Sequence, residues 1–384
     1  MNPRRLWAVV AKEWAEITRD RLFTSLAFVV PAALMLLFGY GLNMDVENIP
    51  LAIVDHDRSP DSRDYAYRFI DSRYFDFKGM LQSESEIDHL LSAGAIRAAI
   101  VIPPDFSKRI GSHRPVSVQT LLDGTFPLRA NIARGYVAAI NGAYNQNRIA
   151  DLLAQGAGLT REQARDQLGN LALEVRLLYN QSGKSIWSMA PKLVMLVLMM
   201  TPPLLTAVSV VREKERGSIL NIYASTVSRG EFLVGKLAPY AAISTVNGVL
   251  LWVLAVYLFG APFKGSFLFF LVVTVIYSVC TTGIGLLVSS FVRTQIAAIV
   301  MTMVVTLVPA MLYSGLLIPL SSLGPEAKVM AYLAPAMHYA RIIDGTFLKG
   351  IGPGILWPAV LALLIYASVL FILAYWLFTK RPSA

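Results

Sequence analysis

Six long stretches of this chain carry no Asp, Glu, Lys, Arg or His: Leu22 to about Gly41, Leu193 to Val211, Leu237 to Phe263, Gly265 to Val292, Thr294 to Pro325 and Gly350 to Thr379. A bilayer core takes about 20 apolar residues of helix to cross, so each stretch is long enough for one transmembrane span. Hydrophobic residues make up 55% of the 384 residues and charged ones 15%, and the mean hydropathy is +0.55, a balance that excludes a large soluble protein with a few buried helices. The first stretch is longer than a signal-peptide core and lacks a small-x-small cleavage site, so it reads as a retained helix. The single cysteine, Cys280, falls in the fourth stretch, so no disulfide framework can hold an external domain together.

Uncharged spans also constrain mechanism. Carriers driven by protons or sodium keep an ionisable group at membrane depth as the coupling site. No Asp, Glu, Lys, Arg or His lies in the six stretches, so the energy for any transport is expected to enter from outside the membrane.

Basic residues set the orientation. If all six stretches cross, then residues 1–21, residues 212–236, Arg293 and the tail 380–384 with Lys380 and Arg381 share one side, and together they hold 13 basic against six acidic residues. That side is expected to be the cytoplasm, with both termini inside. Residues 44–185 carry 16 basic and 17 acidic residues, a near-neutral balance that suits a domain carried across the membrane. The formal net charge of +9 therefore reflects topology, and no nucleic-acid partner is needed to explain it.

The expected organisation follows. An amphipathic N-terminal helix spans 1–21 and a first transmembrane helix spans 22–43. An extracytoplasmic α/β domain with a helical extension occupies 44–185. Transmembrane helices 2 to 6 lie within 186–379, with a cytoplasmic loop at 212–236 and an extracellular loop at 319–354. The fold class is thus a polytopic α-helical membrane protein with an α/β domain inserted between helices 1 and 2. Within that domain, Leu51 to Val54, Tyr74 to Phe77, Ala98 to Ile102, Val116 to Leu122 and Ala172 to Tyr179 read as strands. Helices are expected from a Ser59 or Asp57 cap with Pro60 at the first position, from Ser83 to a stop at Gly94, and from Pro127 to Ala154.

Asp55, His56 and Asp57 suggest a metal site, but His89 and His113 share no ligand spacing with them, and a polar turn after a strand is the better reading. Ser182, Gly183, Lys184 and Ser185 copy the end of a phosphate-binding loop, yet Leu178 stands where that loop needs a glycine. With no complete loop of this kind, and cytoplasmic segments too short to fold an ATPase, ATP hydrolysis is expected from another polypeptide.

The charge burst Arg212, Glu213, Lys214, Glu215, Arg216, Gly217 follows the second apolar stretch. A short helix is expected over Ser218 to Ala224, then a turn from Thr226 to Glu231 before Gly235 and Lys236. An interfacial anchor explains the basic residues. A docking element explains the glutamates as well, and the two readings stay open on the residues alone. On the docking reading, Glu215→Ala is expected to abolish coupling.

The chain resembles the integral-membrane subunit of ABC-2 type transporters, in the branch with a large external domain after the first helix. Lys12 with Glu13, Arg19, Asp20, Arg21, Pro31 and Gly39-Tyr40-Gly41 are similar to the family's amphipathic helix and first span. Val54 to Asp57 with Ser59 and Pro60, Tyr74 and Phe75, Ile102 to Phe106, and Leu122 to Gly124 resemble its strand ends and turns. The most specific likeness is Val211 to Gly217, followed by Glu231 to Lys236 and by Pro239 and Tyr240. Ser314 and Gly315, Ile318 and Pro319, and Leu333 to Pro335 resemble the segment before the last helix. The chain departs from many relatives at Asn180-Gln181, at Gly217-Ser218 and at Leu220.

The resemblance implies no enzymatic activity in this chain. It implies a pair of permeases, two copies of this one or a copy and a paralogue, each contacting an ABC ATPase subunit that holds ATP and Mg, in a bacterial inner membrane. It implies export of drugs or lipids, in some members with a periplasmic adaptor and an outer-membrane channel. Asn247, Tyr277, Thr281, Thr282 and Ser289 are then candidates for the pathway, although Ser and Thr also commonly pack helices in membranes. A membrane-anchored receptor or assembly scaffold is the alternative, and six uncharged spans count against it.

Overall fold

The computed structural model describes residues 2–41, 46–112, 114–157, 160, 178–180, 184–218 and 225–377. The chain divides into two compact units, Asp45–Val175 on one hand and Met1–Met44 with Arg176–Ala384 on the other. Two helices, α1 (Pro3–Arg19) and α2 (Arg21–Gly41), precede the smaller unit.

The smaller unit is an α/β structure built on alternation. Strands β1 (Ile49–Asp55), β2 (Phe75–Leu81), β3 (Ala98–Ile102) and β4 (Gln119–Leu122) form a sheet in the order β2-β1-β3-β4. β1 runs parallel to both β2 and β3, and β4 is antiparallel to β3. Successive side chains point to opposite faces, so Leu51, Ile53, Ala98 and Ile100 join one core while Ala52, Val54, Ala99 and Val101 join another. The first core is closed by α3 (Pro60–Ile70), α5 (Phe106–Gly111) and α6 (Pro127–Ala157) through Tyr65, Phe69, Phe106 and Tyr144; the second by Ile87 of α4 (Ser85–Ser92). Covering both faces is what parallel strands require.

Local chemistry fixes the ends. Ser59 caps α3 in a reciprocal box, accepting from Ser62 N at 3.0 Å while Ser62 Oγ accepts from Ser59 N at 3.0 Å. Gly94 takes φ +70° after α4, a left-handed stop that glycine adopts without strain. The strand expected at Tyr74 to Phe77 starts one residue later and runs to Leu81, and the one expected at Val116 to Leu122 begins only at Gln119. α5 went unread because its first residues follow two prolines. Asp57 marks its start, accepting from Ser107 N at 3.2 Å and Ser107 Oγ at 3.1 Å. Asp55 holds the same turn through the amides of Asp57 and Arg58, and His56 Nε2 lies 3.4 Å from Glu84 Oε1. The strand expected at Ala172 to Tyr179 falls largely outside the described residues, as do His113, Ser182, Gly183 and the tail.

The larger unit contains six helices long and apolar enough to cross a membrane among the described residues. They are α2, α7 (Ser185–Glu215), α8 (Arg229–Val253, continued as a π-helical turn Leu254–Leu258), α9 (Phe267–Phe291), α10 (Gln295–Tyr313) and α13 (Pro353–Leu377). α7 is the central post: 89% of its apolar window is buried, against 22% for α10 and for α13. The outer helices leave apolar side chains such as Ile296, Val300, Trp357 and Ile365 exposed, as lipid-facing positions require.

Two expectations need correction. The segment 319–354, read as a loop, holds α11 (Pro325–Leu333), α12 (Pro335–Asp344) and a π-helical turn Gly345–Lys349. α12 buries Ala336, Met337, Tyr339, Ala340, Ile342 and Ile343; it is too short to span, and that length hid it. The second span carries a charge, because α7 starts at Ser185 and so includes Lys192.

Candidate functional site

The charge burst after the second span becomes the last turn of α7, ended by Gly217 at φ +72°. Helical geometry places residues two apart on opposite sides, so Glu213 and Glu215 diverge. Glu213 turns inward onto α1 and α8. Its Oε1 lies 2.5 Å from Lys12 Nζ and its Oε2 lies 3.0 Å from Lys236 Nζ. Lys236 also donates to Glu13 Oε2 at 2.8 Å and to Ser209 Oγ at 3.2 Å. The Lys236 side chain is 0% exposed and that of Glu13 1%, so these charges and Glu213 are buried between three helices, with Lys12 half-exposed at the outer end of the chain.

Each partner arrives for a reason. Gly235 permits the close approach of α1, since a Cβ there would lie 2.6 Å from Val9 Cγ1. Burial alone would lower the Lys12 ammonium, but Glu213, with Glu13 and Glu16 behind it, holds it above the usual lysine range. Burial pushes the Glu13 carboxyl up, and Lys236 pulls against that. The carboxylates of Glu13, Glu16 and Glu213 come within 4.8 Å of one another, and the cations that meet them are these two lysines.

The surrounding residues extend the joint. Arg212 Nη1 lies 2.8 Å from Asp20 Oδ2 and stacks over Phe23 at 5.5 Å, tying α7 to the α1–α2 corner. Lys214 donates to Ser289 O at 2.5 Å, reaching the end of α9. Glu215 turns outward and accepts from Gln295 N at 2.8 Å and from the Gln295 side-chain amide, at the start of α10. Glu231, expected in a turn, lies instead in the first turn of α8. There it accepts from Ser228 N at 2.8 Å in a capping box, and from Asn2 N at 2.6 Å, which anchors the start of α1. Arg21 opens α2 on the surface. Arg19 and Arg216 line a groove of about 330 Å³ with Glu16, Asp20, Arg212, Glu213 and Ser218. Neither guanidinium has an ion-pair or hydrogen-bond partner among the described residues. Most of the expected short helix, residues 219–224, lies outside the described residues.

Ser209, Gln295, Asn2 and Ser228 take part in the joint and were not singled out from the sequence. The Ser228-x-x-Glu231 spacing is a capping-box signal that could have found Ser228. Lys192 and Asp344 were missed as well. They meet at the other end of α7, where Lys192 Nζ lies 3.3 Å from Asp344 Oδ2.

The five pathway candidates are all buried in helix contacts. Tyr277 stacks on Tyr339 of α12 with ring centroids 4.0 Å apart and donates to Met195 O at 3.3 Å. Thr281 and Thr282 donate to Ser278 O in their own helix, and Ser289 to Leu286 O. Asn247 has a more specific task. Pro31 has no N–H, so the carbonyl of Ala27 one turn earlier in α2 loses its helical donor. Asn247 Nδ2 supplies the replacement, donating to Ala27 O at 2.7 Å. Asn247→Ala is expected to destabilise the protein by about 1 kcal/mol, in the range of hydrogen bonds between membrane helices. Adding Pro31→Ala restores the intrahelical donor and should recover most of that loss. Thermal unfolding midpoints of the two variants and the parent check the pair; an Asn247→Ala midpoint equal to the parent's would remove this role.

A central helix post, lipid-facing outer helices and a largely buried charge joint at one end together define a polytopic permease, and the chain belongs to the ABC-2 transporter family. It matches the family described as ABC-2 family transporter protein over residues 22–376. It is 29% identical to the probable multidrug ABC transporter permease YbhS of Escherichia coli K12, over 98% of this chain and 97% of that one. It is 25% identical to the probable multidrug ABC transporter permease YbhR of the same organism, over 98% and 99% of the two chains. Its similarity to ABC transporter G family member 20 of Dictyostelium discoideum is 23% over 90% of this chain, which covers 46% of that longer protein.

Proposed function

We propose that this chain is the membrane-spanning half of an ATP-driven exporter that moves hydrophobic or amphipathic compounds, drugs or lipids, with ATP and Mg held by a separate ATPase subunit. The names of the bacterial relatives support the multidrug class. The observation that carries the reading is the joint in which Glu13, Lys236 and Glu213 are buried and half-exposed Lys12 closes the outer side. It makes the end of α7 mechanically one piece with α1 and the start of α8, so force applied at the surface of this joint is passed into the central post. A receptor or scaffold would need an anchor only, and an anchor gains nothing from buried charges across three helices.

The joint lies on the cytoplasmic side in this reading, with both termini inside and the α/β unit outside in a bacterial inner membrane. Two such chains, identical or paralogous, form the translocator among membrane lipids, and the α/β unit is the element on which a periplasmic adaptor and outer-membrane channel would engage. The exposed guanidinium groups of Arg19 and Arg216 face the ATPase, which meets them with acidic side chains; charged pairs across such a surface fix register and specificity.

One labelling experiment tests orientation and docking together. In a Cys280→Ala background, a cysteine at exposed Thr226 should react with a membrane-impermeant thiol reagent in inside-out vesicles and stay unreactive in right-side-out ones. The bound ATPase subunit should slow that reaction at least fivefold, and Arg19→Glu with Arg216→Glu should remove the protection at unchanged permease levels. Labelling in right-side-out vesicles would overturn the orientation. Protection persisting in the double variant would overturn the docking surface.

A further inference from the structure

The joint described above grips one end of α7, and a second charge pair grips the other. Lys192 stands two turns inside the opposite end of the same helix, about 30 Å from Glu213 at 1.5 Å of rise per residue. Its ammonium lies 3.3 Å from Asp344 Oδ2 and donates to Gly315 O at 3.2 Å. Gly315 sits in the turn after α10 at φ +81°, and Asp344 is the last residue of α12. One side chain thus holds three segments together: the central post, the turn leaving the fifth span, and the short helix before the sixth.

The carboxylate is only half met. Asp344 Oδ1 is buried and has no hydrogen-bond partner among the described residues, while Oδ2 faces Lys192. A buried acceptor left unpaired raises the energy of the arrangement that contains it, so the pair is held below its full strength. The chain after Asp344 is a π-helical turn, whose Thr346 carbonyl accepts from Lys264 N at 3.2 Å and Gly265 N at 2.7 Å. Such turns are local irregularities with alternatives close in energy, and they recur at functional sites.

Between the two charge clusters α7 has a weak point. Pro202 and Pro203 are adjacent, and neither can donate to the carbonyl one turn earlier, so two consecutive helical hydrogen bonds are missing. Against this point lies Gly285 of α9, where a Cβ would come within 2.2 Å of Pro203 O. The post is therefore gripped at both ends and hinged in between.

We infer that Lys192 and Asp344 form a latch: they hold α12 and the turn at Gly315 against the central post, and bending of α7 at Pro202 and Pro203 during the transport cycle releases them. This rests on the exporter reading for its driving force, but the latch itself is a property of this chain alone. Opening at this end of the bundle then follows from movement at the other, without an ion entering the spans.

The test uses a cysteine at Ile343, which is fully buried beside Asp344, in a Cys280→Ala protein purified in detergent. Its alkylation rate reports how often α12 lifts. Lys192→Met and Asp344→Asn should each raise that rate at least fivefold, while the exchange Lys192→Asp with Asp344→Lys should bring it back to within twofold of the parent. Unchanged rates in both single variants would overturn the latch, and so would acceleration that the exchange leaves in place, since that is the mark of loosened folding. Adding the ATPase subunit with ATP and Mg should accelerate alkylation in the parent. Fast single variants together with a parent indifferent to nucleotide would leave the hold of Lys192 and Asp344 on α12 standing and overturn its release by the transport cycle, an outcome separate from the labelling result that tests the exporter reading.

Discussion

Lys236→Met will lower the thermal unfolding midpoint of the purified protein by several degrees, and Glu13→Gln in the same chain will recover most of the loss. Lys236 is sealed from solvent and meets Glu13 Oε2 at 2.8 Å and Glu213 Oε2 at 3.0 Å. Removing one partner of such a pair leaves a buried charge uncompensated, at a cost of about 3–5 kcal/mol. The two glutamates do not share the cost equally. Glu213 keeps Lys12 at 2.5 Å, whereas Glu13 is left with Lys12 at 3.8 Å. Glu13 is therefore the stranded group, and neutralising it is the efficient repair. The same argument fixes a pH dependence. Burial already raises the Glu13 carboxyl, and loss of Lys236 raises it further, so in the variant the folded state binds a proton more readily than the unfolded state. Stability of Lys236→Met then falls as pH rises, and its deficit against the parent should be larger at pH 8 than at pH 5. Equal midpoints for variant and parent at pH 8 would show that the joint is not the buried network described here.

How much of this could be read beforehand follows the length scale of each interaction. β3 was legible to the residue, because an apolar β-branched run bounded by Arg97 and Pro103 has one reading at short range. The cap at Ser59 was legible because its partner lies three residues on. The spans were legible as apolar length, but their ends were not, since a charge next to an apolar run is as compatible with the helix as with the loop. Lys192 was lost that way, one residue before the uncharged stretch. α12 was lost because its apolar face is too short to be counted as a span, and what it packs against lies far away in sequence. In the charge burst, composition announced that chemistry was present but not which residue performs it. Glu213 and Glu215 look equivalent in one dimension; the helix turns one to Lys12 and Lys236 and the other to Gln295.

That divergence decides the last expected result. On the exporter reading, Glu213→Gln will leave the amount of permease in the membrane and its pairing with the ATPase subunit unchanged, yet cut substrate-stimulated ATP hydrolysis at least tenfold. The amide keeps the shape but weakens the charge-assisted contacts that bind α7 to α1 and α8, so a push on the surface of the joint no longer bends the central post. Glu215→Gln will be milder, at most threefold. Its carboxylate works as a cap at the first turn of α10, accepting from Gln295 N at 2.8 Å, and an exposed cap contributes about 1 kcal/mol to its own helix. An amide oxygen can still accept there. The measurement is ATPase activity of the reconstituted complex with and without substrate, beside the unfolding midpoint of each variant. If Glu215→Gln proves as damaging as Glu213→Gln, the outward contact to α10 carries the coupling, and the buried joint serves only to hold three helices in place.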